Sequence, residues 1–256
     1  MSWIDAHAAP AGLLLVMAAL GGLFFYLRRA PAQAAPSDAA LPPAAWHALA
    51  LAGLLAALGL AVLARDMLCL TAPGCAEGAH WHAMDLAVQQ WFAHHRPPAW
   101  LGPVAAFTHL GHVGWTAALS VAVLLWLLWR REGLRAGAWL LGTAGVGLWI
   151  RAIKGFVARP RPEAGWVSEG GYSFPSGHSA GTLVLYGMLA WLLAGGLPRH
   201  WRAAVWSVAL ALGLSIGASR VMLRVHFASD VLAGWLLGLA WLALVVCTAE
   251  WARARR

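Results

Sequence analysis

Charge is what this sequence has least of. Only 11% of its 256 residues are Asp, Glu, Lys or Arg, and 61% are hydrophobic. A soluble domain carries about 25% charged residues, so the deficit excludes an ordinary globular core and points to a membrane protein. Cysteine is also scarce, with three residues and no CxxC pair. A structural zinc site therefore has no support. Cys69 and Cys75 flank a short polar loop, and either form a disulfide on an oxidising side of the membrane or remain two thiols. The chain has no basic tail with interleaved aromatics, so the net charge of +8 is not the footprint of a nucleic-acid binder. Its Arg residues fall between long apolar runs, where membrane topology and anionic lipid account for them. Residues 1–9 lack Lys and Arg and include Asp5. A secretory signal would begin with positive charge, whereas here Arg28 and Arg29 follow the apolar run 10–27. That run reads as a first span with its N-terminus outside.

What is present is a succession of apolar stretches, supported by 17 Trp residues that suit interfacial belts and packing between helices. An Ala/Pro-rich linker at 29–44 follows the first span. A second span at 45–64 is long enough, at roughly 1.5 Å per residue, to cross a core of about 30 Å. Residues 65–112 form the longest polar excursion. Within it, 84–95 has the pattern of a helix lying on the membrane surface. His80, His82, His94 and His95 lack Cys or carboxylate partners at a metal-binding spacing and read as exposed loop residues. Further spans are expected at 113–129, 136–153, 179–196, 203–218 and about 230–248. The fold class is therefore all-α, a polytopic transmembrane bundle with a six-span core and one additional N-terminal span. The expected organisation is residues 1–44 as span and linker, 45–250 as the membrane domain and 251–256 as a basic cytoplasmic tail.

Three polar clusters interrupt the apolar runs. They are Lys154 to Pro162, Tyr172 to Ser179, and Ser219 to Asp230. The loop 154–177 and the turn 219–229 are two spans apart, so they lie on one side and can meet. The Arg-bearing turns at 28–44, 130–135 and 199–202 lie on the other side, with the tail. The positive-inside rule makes that side cytoplasmic and the clusters external.

The clusters contain the equipment for phosphate chemistry. Lys154, Arg161 and Arg220 can neutralise a phosphomonoester, which carries close to two negative charges. Ser176 adds a hydroxyl. Gly177 opens a helix whose free amides attract anions and whose backbone can come close. Taken singly, Arg159 and Arg224 fit equally well as cations reaching towards lipid headgroups. His226 and Asp230 are four residues apart and share a helix face. Asp230 can fix the imidazole tautomer, leaving the other nitrogen to attack phosphorus. His178 can protonate the departing oxygen, and the cations can stabilise the transition state without a metal. No cofactor is expected.

The pattern K-x6-RP, PSGH and SR-x5-H-x3-D resembles the type 2 phosphatidic acid phosphatase family, integral-membrane lipid phosphatases that share a helical core with vanadium-dependent haloperoxidases. All three motifs are complete and in order, and the resemblance covers roughly residues 45–248. It implies that Lys154, Arg161, Ser176, Gly177 and Arg220 bind phosphate. It also implies that His178 is the acid, His226 the nucleophile and Asp230 its orienting partner. The expected activity is hydrolysis of a lipid phosphate or pyrophosphate monoester through a phospho-histidine, at the outer face of a bacterial inner membrane. Candidate substrates are undecaprenyl pyrophosphate, phosphatidylglycerol phosphate and phosphatidic acid, and an outward site slightly favours the first. The expected partners are the lipid substrate and membrane lipids. The alternatives are phosphotransfer to another lipid from the same site and a vanadate-dependent haloperoxidase.

Overall fold

The computed structural model describes residues 43–70, 78–95, 98–163 and 165–255. The expected span at 10–27 and most of the linker after it lie outside these. Eight α-helices make up the described chain: α1 (Pro43–Cys69), α2 (Ala79–His94), α3 (Pro98–Thr108), α4 (Val113–Trp129), α5 (Gly133–Val157), α6 (Gly177–Ala194), α7 (Arg199–Met222) and α8 (Ala228–Ala254). A single 3-10 turn, His109–Gly111, joins α3 to α4. Among the described residues there is no strand.

Six candidate membrane spans result, because α3, the 3-10 turn and α4 count as one apolar stretch, Ala99–Trp129. At about 1.5 Å per residue, 25–27 residues extend roughly 38–40 Å, enough to cross the hydrocarbon core. The expected spans begin and end within a few residues of these helices. Pro43 starts α1, where a missing amide proton costs nothing. Helix α8 continues through Trp251 to Ala254.

Small residues set the packing. A Cβ on Gly53 of α1 would sit 2.5 Å from the Ala243 Cβ, and one on Gly59 would meet Leu236 at 3.5 Å, so α1 and α8 run antiparallel at close range. Gly234, Gly238 and Gly187 bring α8 and α6 together in parallel register: their added Cβ atoms would meet Ser176 O, Ala180 O and Leu242 respectively. Gly213 and Gly217 do the same for α7 against α6, antiparallel, meeting Leu183 and Ser179, and Gly217 also admits Trp235 of α8. In membranes, such close approach replaces the hydrophobic drive that water supplies elsewhere. Helix α6 is the centre of the bundle. Its Val184, Met188 and Trp191 pack in a core with Trp139, Leu127, Leu242 and Val246. Leu54, Leu58, Leu128, Leu148 and Phe156 stay exposed on the outer helices, as a lipid-facing surface requires.

The excursion at 65–112 differs from expectation. Helix α1 extends to Cys69, and α2, α3 and the 3-10 turn occupy most of the stretch beyond it. His80, His82, His94 and His95 are exposed as expected, but they sit on or at the end of α2, not in a loop. Helix α2 does more than lie on a surface, since its Asp85 and Gln89 are buried against the bundle. Cys69 is disulfide-bonded, while Cys75 lies outside the described residues; Cys247 is free.

The helix directions put the C-termini of α1, α5 and α7 and the N-termini of α4, α6 and α8 at one end. Helix α2 is held there by Asp85 against Ser229, and α3 by Ala105 and Ala106 against Leu223 and Val225.

Candidate active site

Two left-handed residues aim the loops that build this end. Helix α5 stops at Ala158, φ 50°, and α7 is followed by Arg224, φ 57°. Each costs roughly 1–2 kcal/mol for a residue with a Cβ. The first turns the chain so that Arg159 enters the protein, and the second does so for His226; both are buried. Ser176 caps α6, its hydroxyl accepting from the Ser179 amide at 3.4 Å, and its own amide donates to the Asp230 carbonyl at 2.9 Å. The starts of α6 and α8 are thereby tied together. The Phe174–Pro175 peptide just before is cis.

His226 is the best-defined group. Its Nδ1 lies 3.4 Å from Asp230 Oδ2, and its Nε2 lies 3.1 Å from Arg161 Nη1. Since a guanidinium only donates, Nε2 accepts, and the tautomer that satisfies both contacts carries its proton on Nδ1. Asp230 Oδ2 also accepts from the Phe227 amide at 2.9 Å, capping α8. Burial pushes the His226 pKa down to about 4, against the opposing pull of Asp230. The Nε2 lone pair is therefore available at neutral pH.

The cations line the same space. Arg161 is held by the carbonyls of Gly171 at 3.0 Å and Val225 at 2.9 Å. Gly171 has φ 73°, a conformation that glycine adopts without strain. Lys154 donates to the carbonyls of Tyr172 and Ser173. Arg220 donates to Thr108 Oγ1 at 3.2 Å and pairs with Glu169, but its Nε is buried with no partner among the described residues. An unmet buried donor costs about 1–3 kcal/mol, and a phosphate oxygen would satisfy it. His178, in the first turn of α6, lies within electrostatic reach of Arg220, His226, His112 and Arg161. Gly177 opens the same turn, with only Ile150 near a would-be Cβ. All eight residues singled out from the sequence thus gather at one end of the bundle.

Arg159 corrects one of the sequence readings. It does not reach for headgroups. It is buried, donating from Nη1 to Asp230 Oδ1 and Ser229 Oγ, both at 2.7 Å, and from Nη2 to Asp85 Oδ2 at 2.7 Å. Asp85 accepts in addition from the Ser229 amide at 3.0 Å and from the Ser229 hydroxyl. One turn on, Gln89 donates to the His226 carbonyl at 2.9 Å and accepts from Arg224 Nε at 3.3 Å. Asp230 therefore has one oxygen engaged with Arg159 and the other facing His226. The two carboxylates share one guanidinium, so Arg159 does not wholly neutralise Asp230. The sequence reading missed Asp85 and Gln89, although a carboxylate near the bilayer calls for a partner.

A cleft of about 580 Å³ runs from His178 and Gly177 down between α4, α5 and α6, past Gly147, Leu148 and Leu140. Its walls are largely apolar. Thr116, Ser120 and Thr143 turn their hydroxyls back onto carbonyls of their own helices.

Comparison with known proteins gives the family. The PAP2 superfamily model matches residues 135–254, the segment holding all eight predicted residues. Phosphatidylglycerophosphatase B of Bacillus subtilis (strain 168) is 34% identical over 151 residues, covering 57% of this chain and 74% of that protein. The crystal structure of a transmembrane PAP2-type phosphatidylglycerolphosphate phosphatase from Bacillus subtilis superimposes with a TM-score of 0.65 at 28% identity, over 75% of this chain and 93% of that one. The chain therefore belongs to the PAP2 superfamily and is a membrane lipid phosphatase.

Proposed function

We propose that this protein removes the terminal phosphate of a membrane lipid at its external face, through a phosphohistidine on His226. The observation that carries this reading is the setting of His226. One ring nitrogen is held by Asp230, the other faces Arg161, and Arg220 Nε has no partner among the described residues. In the first step, Nε2 attacks phosphorus as the P–O bond to the lipid breaks, and His178 protonates the departing lipid oxygen. In the second, water attacks the phosphohistidine, His178 takes its proton, and the N–P bond breaks to release inorganic phosphate. Lys154, Arg161 and Arg220 stabilise the charge on the non-bridging oxygens, with the amides at the start of α6. These fixed cations supply the electrostatics that a metal would otherwise provide.

The apolar cleft that reaches His178 suits a lipid chain lying alongside the bundle. Both Bacillus subtilis relatives are named for phosphatidylglycerol phosphate, which supports that lipid over undecaprenyl pyrophosphate and phosphatidic acid as the substrate proposed. Two features favour an outward site. The Arg-rich turn 130–135 lies at the opposite end, as positive-inside predicts. Cys69, at the site end of α1, is in a disulfide, a bond that persists on oxidising sides of membranes.

The test is phosphate release by detergent-purified protein in EDTA, from the three lipids in parallel. Release is expected with EDTA present, and with ³²P-labelled lipid a labelled enzyme should be trapped by an alkaline detergent quench, in which a phosphohistidine persists. His226→Ala should abolish both signals. Release that depends on added metal, or that persists in the variant, would overturn the mechanism.

A further inference from the structure

We infer that Arg151 forms a second anion subsite, one that recognises a second, lipid-proximal phosphate in the substrate. This rests on the lipid-phosphatase reading above and concerns which phosphorylated lipids the site prefers.

Arg151 is exposed on α5, inside a segment long and apolar enough to span a membrane. Such a cation is costly unless it serves a purpose, and commonly marks a substrate path. It lines the cleft described above, at the end that also holds Gly177 and His178. Among the described residues that line the cleft, it is the one basic side chain apart from His178, and none is acidic. Among the described residues, no ion pair or hydrogen bond engages Arg151, whereas Arg159, Arg161 and Arg220 are all held. The cleft's hydroxyls are turned onto their own helices.

Position on the helix gives the reading its content. Arg151 is one turn before Lys154, and residues three apart have neighbouring Cβ atoms about 5–6 Å apart. Lys154 serves the phosphate that is cleaved. Arg151 sits one turn deeper, between that phosphate and the apolar part of the cleft. A lipid whose terminal phosphate occupies the cradle and whose chain enters the cleft must pass its linking group by Arg151. In phosphatidic acid the phosphate joins the glycerol directly and nothing anionic lies at this level. In phosphatidylglycerol phosphate a phosphodiester follows across a glycerol, and in undecaprenyl pyrophosphate a second phosphate follows at once. Arg suits either, since its planar fork grips phosphate oxygens in pairs.

Wild type, Arg151→Gln and Arg151→Lys would be assayed on these three lipids in mixed micelles. In Arg151→Gln, kcat/KM should fall roughly tenfold or more on a lipid with a second phosphate, chiefly through KM, as expected for lost uniform binding. Phosphatidic acid should change by less than about twofold, and Arg151→Lys should recover part of the loss because the charge is kept. A loss confined to the phosphodiester lipid, or to the pyrophosphate, would identify which linkage the subsite reads. Equal loss on all three lipids, or no loss on either two-phosphate lipid, would overturn the subsite alone. No phosphate release by wild type from any of them would overturn the phosphatase reading, and the subsite with it.

Discussion

His226 is buried and held neutral, and its acid–base behaviour reflects that setting. Its pKa is pushed down to about 4 by burial, against an ordinary value near 6.5. On the proposed mechanism the imidazole therefore keeps its lone pair free for attack well below pH 6.5. Once the substrate's own second ionisation near pH 6 is divided out, the acid limb of kcat/KM should fall only near pH 4. A limb at 6.5 would mean that the residue is solvated in the working enzyme. Stability carries the matching sign. Between about pH 4 and 6.5 the unfolded chain binds a proton that the folded site refuses, so stability is lost as pH falls through that window. Asp85→Asn extends the same test. It leaves Arg159 paired with Asp230 alone, which weakens the hold of Asp230 on His226. The pH-independent plateau should drop roughly tenfold, equivalent to about 1.4 kcal/mol, with the folded state retained in thermal melts.

Among elements, the contact between α6 and α8 decides most. These two helices carry His178 and Asp230, and their starts are linked through Ser176 and the Asp230 carbonyl. A Cβ on Gly234 would lie 2.6 Å from the backbone oxygen of Ser176 and 2.7 Å from the Ser179 Cβ. A backbone atom cannot rotate away, so Gly234→Ala must push the two helix starts apart. Overpacking of this kind costs about 1–3 kcal/mol. The variant should melt earlier in detergent and lose activity out of proportion, because the displaced atoms frame the proposed phosphate cradle. Unaltered activity would show that the helix starts can separate without harm. The long apolar helices were readable in the sequence because a membrane span needs little beyond length and the absence of charge. Helix α3 was not: Pro98, Gly102 and Pro103 give it the punctuation of a loop, yet Pro103 lies within the helix. That the eight motif residues would meet at one end was readable because the clusters carrying them are two spans apart. The pairing of Arg159 with Asp85 was not, since the two are 74 residues apart and no local pattern links them.

At the scale of the whole molecule, sidedness is the property that composition and fold both address. Gly170 is exposed in the loop beside the site, and Gly133 is exposed at the opposite end; a Cβ on either would meet nothing within 4 Å. In a Cys247→Ala background, Gly170→Cys should react with a membrane-impermeant maleimide on intact cells. Gly133→Cys should react only after permeabilisation. The reverse pattern would turn the site inward.

The arrangement of the helices also divides the labour of living in a bilayer. Helix α6, which carries His178, and α8, which carries Asp230, are largely wrapped by protein, whereas α1, α4 and α5 present most of their surface outward. Changes in lipid thickness or fluidity fall first on those outer helices. Two of them, α4 and α5, form walls of the cleft. The bond-breaking centre is thus insulated from the state of the membrane, while the doorway to it is not. The membrane's physical condition can set how often substrate arrives without altering what happens once it is there.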